Sequence, residues 1–360
     1  PARRTGRDHS PNKLKHVFAS EIASSDLVCL GYGPDQYVAQ ASVRTLFNTS
    51  HPKKFYVKSA LSILNMGFMR GLPLYYLGTA PRMAAWLEEL LYDDPVIRDT
   101  GFRMLSEIAS VSYVNPYFEE FGPHNDFNKM LASLWRESPY SVVEEGQDAM
   151  TMAALVHVDD QGSALLPELV KRSGLDTADW LQRYFDAYLT PLLHCFYEYD
   201  LVFMPHGENI VLVMENGVPV RALLKDITEE AAILSSEREL PEELKRLFVE
   251  VPEHMKLLSI FIDVFDDFFR FMAAVLHQHG GFSAEQFWAE VAACVRRYQA
   301  RMPQHASKFE RFDLFAETFE LSCLNRLQIR NHRQMIDLDE PVAKLQLAGP
   351  IANPLARFRA

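Results

Sequence analysis

Cysteine is scarce: four in 360 residues, at Cys29, Cys195, Cys294 and Cys323, with no C-x-x-C pair. That argues against a disulfide scaffold and makes reduced thiols in the cytoplasm the expected state. Positive charge is short as well, with 36 Lys and Arg against 48 Asp and Glu and a net charge of −12. Binding nucleic acid by counterion release needs the opposite balance, so nucleic acid is not an expected partner. An acidic chain can still hold a small anion in a local basic pocket, so ATP stays open. No run of about 18 apolar residues occurs, and no membrane span is expected. Pro1 to Arg7 is basic but has no apolar core, so it is not a signal peptide. The glycine-rich phosphate motifs G-x-x-x-x-G-K-[ST] and G-x-G-x-x-G are missing, and so is G-x-S-x-G. P-loop, Rossmann and nucleophile-elbow chemistry therefore have no support. There is no internal repeat and no low-complexity segment.

What is present is a globular composition, 48% hydrophobic and 23% charged, in a length that allows two or three domains. Short strands are expected at 25–31 and 36–42 around a Gly-Tyr-Gly-Pro turn. Lys53 to Leu64 alternates in part and reads as a strand that aims Lys58 into a site. Asn65 to Gly71 reads as a turn opening a short helix. A helix is expected at 81–91, and strands at 110–117 and 150–158. Asp176-Thr177 caps a long amphipathic helix reaching Tyr199. Beyond 226 the pattern is helical over 229–237, 241–250, 256–279, 283–301 and 307–335, with Ser283 and Gln286 at capping-box spacing. Asp263, Asp266 and Asp267 read as the polar face of an amphipathic helix. Pro341, Pro350 and Pro354 make the tail irregular. The expected fold class is α+β, with a mixed or antiparallel, palm-like sheet and a largely helical C-terminal region. The expected domain plan is a flexible lead-in at 1–20, a sheet-bearing core at 21–160, a helical region at 161–340 and a tail at 341–360.

The most informative stretch runs from Met204 through Pro205, His206, Gly207, Glu208 and Asn209 into the apolar run Ile210–Val213. Asn216-Gly217 then signals a tight hairpin turn, and the return run Val218–Leu224 ends in Lys225-Asp226. One hairpin, 201–226, would bring His206, Glu208 and Asn209 close to Asp226. A His-containing loop with an Asn, followed by a hairpin and an Asp, is a layout used in phosphoryl chemistry with Mg²⁺. An ordinary surface hairpin with a polar loop fits the same residues. Two further clusters carry charge chemistry. Ser42, Arg44 and Thr45 suit a carboxylate or phosphate, because Arg binds either through two N–H groups. Lys58 and Arg70 could neutralise a polyphosphate. Taken singly, each cluster is more simply a solvated strand end or a pair of surface cations. His277 and His279 are two apart on a helix and make a poor metal pair. Asn325, Arg326 and Arg330 read as structural partners on the last helix.

As a set, Ser42-x-Arg44-Thr45, Lys58, Arg70, His206-x-Glu208-Asn209 and Asp226 resemble the NRPS-independent siderophore synthetases, the aerobactin-synthetase-like (IucA/IucC) family. The order and spacing carry the resemblance; no single motif does. The stretch from Asp176 to Arg333 resembles the family's C-terminal region, which is itself similar to ferric-iron-reductase-like domains. Family members are longer, with an N-terminal lobe whose nucleotide loop has no counterpart here, so the chain resembles the C-terminal part of such an enzyme. Asn65 to Met69 ahead of Arg70-Gly71 is most similar to the subgroup of alcaligin and desferrioxamine synthetases.

The resemblance implies an ATP- and Mg²⁺-dependent ligase, with small-molecule carboxylate and amine substrates, acting in hydroxamate siderophore biosynthesis. A carboxylate would attack the α-phosphate of ATP to give an acyl-adenylate and pyrophosphate, and an amine or hydroxylamine would then form the amide. Lys58 and Arg70 would offset phosphate charge, and His206 would position the carboxylate or move a proton. Ser42, Arg44, Thr45 and Asn209 would hold ATP or substrate. Glu208, Asn209 and Asp226 would hold Mg²⁺. No membrane or nucleic-acid partner is implied, and a homodimer is compatible with the sequence. The alternative is an iron-siderophore binding or reductase-like module without ligase activity. A kinase-like phosphotransferase would need a catalytic Asp where Gly207 and Glu208 stand.

Overall fold

The computed structural model describes residues 15–61, 63–65, 68–122, 127–322 and 347–359. Residues 1–36 and 37–360 form two units. In the first, the short helix Ala19–Ala23 ends where the Ser24 N–H returns to the Ser20 carbonyl. The strand expected at 25–31 does not form; the chain there is turn and coil.

The second unit is α+β. In chain order its strands are β1 (Tyr37–Ala39), β2 (Thr45–Asn48), β3 (Tyr56–Ser59), β4 (Leu64–Asn65), β5 (Phe68–Met69), β6 (Arg103–Met104), β7 (Glu107–Ser112), β8 (Ala132–Arg136), β9 (Gln147–Thr151), β10 (Leu201–Val202), β11 (Ile210–Glu215), β12 (Val218–Leu224), β13 (Ala232–Ile233), β14 (Thr318–Ser322) and β15 (Leu347–Ala352). A five-stranded antiparallel sheet has the order β1-β2-β3-β8-β7. Thr45 stands opposite Lys58, Lys58 opposite Leu134, and both Tyr56 and Glu107 opposite Arg136. Side chains alternate along a strand, so these residues share one face.

Helix Leu74–Leu91 covers the apolar end of that face, where Tyr76, Leu77 and Ala80 meet Ala132 and Leu134. The sequence signal placed its start at Pro81, but the helix begins at Leu74 and carries Pro81 inside. A proline cannot donate to the carbonyl four residues back. That carbonyl, on Leu77, accepts instead from the Ser110 hydroxyl of β7 at 2.8 Å. The proline is tolerated because the sheet supplies the missing donor.

The second sheet has the order β6-β12-β11-β9, with β6 parallel to β12 and the rest antiparallel. Its centre is the expected hairpin. Asn216 (φ 51°) and Gly217 (φ 83°) both take the left-handed conformation that a tight turn between twisted strands requires. β9, from the first half of the chain, pairs with β11 from the second. Behind this sheet lie the helices Thr177–Tyr199, Arg270–Gly280 and Ala284–Arg301, in one continuous core that includes Trp180, Tyr184, Phe185, Tyr188, Phe269 and Phe287. Trp180 ties core to turn by donating its indole N–H to the Gly217 carbonyl at 2.8 Å.

Several expected elements differ in the structure, some because tertiary pairing overrides local propensity. The strand expected at 150–158 stops at Thr151 and becomes a 3₁₀ turn, Met152–Val156. The helix expected at 229–237 is the short Ile227–Glu230, because Ala232–Ile233 pairs with β10. Residues 241–250 hold only a 3₁₀ turn, Glu242–Leu247. The helix expected over 256–279 contains a π segment, Phe261–Phe269, before Arg270–Gly280. Asp266 there is buried and paired with Arg270 at 3.1 Å, and burial pushes Asp263 up to about 8, so these carboxylates are not a solvated face. The helix expected over 307–335 is, among the described residues, Ala306–Arg311, and β14 then pairs with β15 in the tail expected to be irregular. Pro350 fits there because, among the described residues, β15 pairs only with β14, in a two-stranded ribbon. Cys323, Asn325, Arg326 and Arg330 lie outside the described residues. Among the described residues, no helix is long and apolar enough to cross a membrane.

Gly217→Ala should destabilise the protein by about 1–2 kcal/mol, the cost of a β-carbon in the left-handed region. The new methyl would also stand 3.0 Å from the Leu169 carbonyl. Urea unfolding followed by Trp fluorescence measures this; an unchanged midpoint would show that the turn conformation is not required.

Candidate functional site

The site lies where the two sheets meet. β6 runs beside the end of β12, and the Leu105 N–H donates to the Leu224 carbonyl at 2.8 Å. Two residues later the same chain enters the first sheet at Glu107. On the hairpin, the Lys225 N–H extends the ladder to the Asn209 carbonyl at 2.9 Å. Asp226 then takes a left-handed conformation, φ 59° and ψ 31°, which ends the strand and starts helix Ile227–Glu230. A non-glycine residue holds this conformation only when its surroundings enforce it.

Two cations do so. Lys58 Nζ lies 2.8 Å and an Arg136 terminal nitrogen 3.0 Å from Asp226 Oδ1. Lys58 is shared with Glu229, at 3.0 Å. Asp226 and Glu229 are three residues apart, the spacing that puts two side chains on one face of a helical turn. Arg44 completes the cluster, 3.2 Å from Glu229 and donating to the Gly71 carbonyl at 2.6 Å. Gly71 must be glycine, since a β-carbon would come within 2.8 Å of Lys129 Cβ. Ser42 and Thr45 flank Arg44, with their hydroxyls 2.7 Å apart.

Burial governs the electrostatics. Lys58 is 3% exposed, Arg136 4% and Arg44 5%. Burial by itself would lower the Lys58 pKa, but the Asp226 and Glu229 carboxylates outweigh it and hold the amine above its ordinary value. Burial would raise Asp226, but Lys58 and Arg136 outweigh it and hold the carboxylate below the usual range. Glu229 is likewise lowered, against its burial, by Lys58 and Arg44. Burial and then the charge of Arg44 lower Arg70. The Nε–H groups of Arg44, Arg70 and Arg136 are buried without an acceptor among the described residues. Buried donors are normally paired, so three open guanidinium N–H groups in one charge cluster point to an anion.

The His206 loop stands at the neighbouring strand end and is pinned by its backbone. The Pro205 carbonyl accepts from the Tyr188 hydroxyl at 2.6 Å, and the Gly207 carbonyl from the Ala153 N–H at 2.8 Å. Only glycine fits at 207, where a β-carbon would lie 2.7 Å from the Phe268 ring. The Asn209 amide donates to the Met204 carbonyl at 3.0 Å and to the Glu230 carboxylate. Burial lowers the His206 pKa from its ordinary value, which favours the neutral imidazole, the form able to accept a proton. Glu208 pairs with Lys225 at 2.6 Å and is the most exposed member, at 42% of its side chain.

The structure thus gathers Arg44, Lys58 and Asp226 in one ion cluster, with Ser42 and Thr45 beside Arg44. Arg70 is coupled to the cluster by charge. His206, Glu208 and Asn209 form a second group on the adjoining loop. Glu208 and Asp226 are held by different cations, and among the described residues no three of His, Cys, Asp and Glu are grouped as a metal cage. Sequence reasoning missed Glu229, Glu230, Arg136 and Glu107. The first two were legible as an acidic pair one turn after Asp226. Arg136 occupies a buried position in an alternating strand, Ala132–Arg136, where an apolar residue is the rule.

Residues 10–157 match the IucA / IucC family, and residues 178–337 match a family described as ferric iron reductase FhuF-like transporter. The chain is 50% identical over 348 residues to putrebactin synthase of Shewanella sp. (strain MR-4), a match covering 96% of this chain and 55% of that protein. It is 34% identical over 347 residues to rhizobactin siderophore biosynthesis protein RhbF of Rhizobium meliloti (strain 1021), covering 95% and 57%. The crystal structure of petrobactin biosynthesis protein AsbB from Bacillus anthracis str. Sterne has the same fold, with a TM-score of 0.85 and 25% identity over 98% of this chain and 59% of that one. The chain therefore spans a little over half the length of these relatives. Residues 10–157 therefore form an IucA / IucC family domain, and over nearly its whole length the chain is similar to siderophore synthetases.

Proposed function

We propose that the protein is an ATP-dependent, amide-forming ligase of hydroxamate siderophore biosynthesis, working in the cytoplasm on small carboxylate and amine or hydroxylamine substrates. The observation that carries this reading is the cluster of buried Arg44, Lys58 and Arg136, joined by Arg70, with guanidinium N–H groups without an acceptor among the described residues. Its likeness to a putrebactin synthase supports substrates close to that enzyme's.

A carboxylate oxygen attacks the α-phosphorus of ATP, pyrophosphate leaves, and an acyl-adenylate remains. Arg44, Lys58 and Arg70 offset the charge that builds on the phosphate oxygens, in a setting where burial strengthens each interaction. The Ser42 and Thr45 hydroxyls orient the phosphate or the carboxylate. The amine then attacks the acyl carbon, AMP leaves, and His206 accepts the proton the nitrogen releases. Mg²⁺ would neutralise phosphate charge when bound. Asp226, with Glu208 and Asn209 on the adjoining loop, offers hard oxygen donors. That set suits an ion arriving with phosphates, since Mg²⁺ commonly takes only one or two protein carboxylates.

The reductase-like alternative is disfavoured by the described cysteines. Cys195 and Cys294 are separately buried, burial raises both thiols, and the Cys294 sulfur has Thr190 as its neighbour at 3.6 Å. An iron–sulfur centre needs several thiolates converging on one point.

Adenylation predicts that the full-length protein exchanges labelled pyrophosphate into ATP only when its carboxylate substrate is present. ADP and phosphate as products, without AMP, would assign the chemistry to acyl-phosphate ligases instead. The lowered imidazole pKa predicts a second result. Because burial lowers the His206 pKa from its ordinary value, kcat should fall on the acid side, at a lower pH than an exposed histidine would give. His206→Gln should lower kcat by about 100-fold or more and abolish that acid limb. An acid limb unchanged in the variant would place the base elsewhere.

A further inference from the structure

The junction of the two sheets holds more cation than anion. Arg44, Lys58 and Arg136 are buried there and Arg70 is coupled to them by charge, whereas the carboxylates held ionised against them are Asp226 and Glu229. Glu208 is taken by Lys225. Burial, and then the charge of Asp226, raises Glu230 well above the ordinary carboxyl range, which favours its uncharged form. The balance is positive, and burial leaves it poorly screened.

One further group can change that balance. Glu107 on β7 is 0% exposed and stands directly opposite Arg136 on β8. Directly opposed side chains have β-carbons about 4.5–5.5 Å apart, well within reach of an arginine. Even so, neither Glu107 oxygen has a hydrogen-bond partner among the described residues, and the Arg136 Nε–H is buried and open as well. An ionised carboxylate there would draw that N–H into a charge-assisted bond; an uncharged one gains much less by it. Burial pushes the Glu107 carboxyl up to about 7, with Lys58 and Arg136 opposing the rise and Asp226 and Glu229 adding to it. Tyr76 on helix Leu74–Leu91 and Arg246 on the turn Glu242–Leu247 also feel its charge. Burial raises the Tyr76 hydroxyl further, so in this set Glu107 is the group that titrates near neutral pH.

We infer that Glu107 sets how strongly the junction holds an anion. Uncharged, it leaves the excess of positive charge at Arg136 and its neighbours to the phosphates of a nucleotide. Ionised, it cancels part of that excess and weakens the hold. Glu107 touches no ligand and acts through Arg136 and the charge of the cluster, which makes it a positioning residue. The inference rests on the proposed reading of the cluster as a phosphate site and gives that site a pH dependence: nucleotide affinity falls as pH rises through the Glu107 ionisation.

The test measures ATP binding to the full-length protein by calorimetry at about pH 6 and about pH 8.5, for wild type and for Glu107→Gln, which keeps the shape and cannot ionise. The ionisations of ATP and of His206 are common to both proteins and cancel in the ratio of their dissociation constants. That ratio should be close to one at the lower pH and should reach about tenfold, in favour of the variant, at the higher. A ratio that does not change with pH would overturn the inference. The thermal midpoint supplies an independent sign. A carboxyl raised in the folded state loses stability as pH climbs from its ordinary value of 4.5 toward 7, so the variant should melt above wild type at about pH 8.5, with the gap closing toward about pH 5. A variant that melts lower at about pH 8.5 would make Glu107 an ionised structural partner of Arg136 and would also overturn it. Glu107→Leu, uncharged as well, should give the same ratios; if neither variant folds, the inference fails, because a group that is uncharged in the fold is replaceable by an uncharged one. Arg44→Ala separates the two layers. ATP affinity left intact by Arg44→Ala would sink the phosphate-site reading and this inference with it, whereas affinity lost there beside a pH-independent ratio for Glu107→Gln would sink this inference alone.

Discussion

A lysine almost wholly removed from water keeps its proton only beside negative charge, and Lys58 has two carboxylates within 3.0 Å, those of Asp226 and Glu229. That pairing joins an inner strand of one sheet to the end of a hairpin in the other. It holds Asp226 in a left-handed conformation that the backbone alone would not choose, and this turns the chain into the helix that delivers Glu229. Arg44 and Arg136 each bind one of the same carboxylates, so four strands and one short helix are registered by a single ionic cluster. Removing one member leaves the others buried and uncompensated, which is costlier than losing a surface ion pair. Asp226 is accordingly both a structural keystone and the proposed metal ligand, and substitutions there disturb fold and chemistry together.

The apolar scaffold explains why the cluster can persist. The helices behind the hairpin sheet build a dense aromatic core, and that core fixes the His206 loop through backbone contacts, the Tyr188 hydroxyl on Pro205 and the Phe268 ring on Gly207. The imidazole is therefore placed by packing, while the cations are placed by charge. A reaction that creates negative charge on phosphorus and releases a proton from nitrogen uses both kinds of placement.

Much of the site was legible in the sequence because its signals are local. Asn216-Gly217 between two apolar runs fixed the hairpin register, and the register brought residues 206–209 to Asp226. Alternation around Lys58 marked an inward strand position, and the helix cap at Asp176 was visible in one dipeptide. What escaped depends on partners far along the chain. Pro81 looked like a helix start because the Ser110 hydroxyl that makes it tolerable lies on another element. Residues 232–233 and 347–352 looked helical or irregular because their strand partners are distant. Glu107 and Arg136 carry no motif at all; only the pairing of β7 with β8, and of β8 with β3, turns them from ordinary charges into buried ones.

The central claim is that this cationic cluster promotes attack of a carboxylate on the α-phosphorus of a nucleotide. The most direct measurement follows oxygen. With the carboxylate substrate labelled with ¹⁸O, one labelled oxygen should appear in the AMP product, because the carboxylate oxygen that attacked phosphorus stays on it when the amine displaces AMP. Label found in inorganic phosphate with none in AMP would contradict the account, since the attack would then have fallen on the γ-phosphorus.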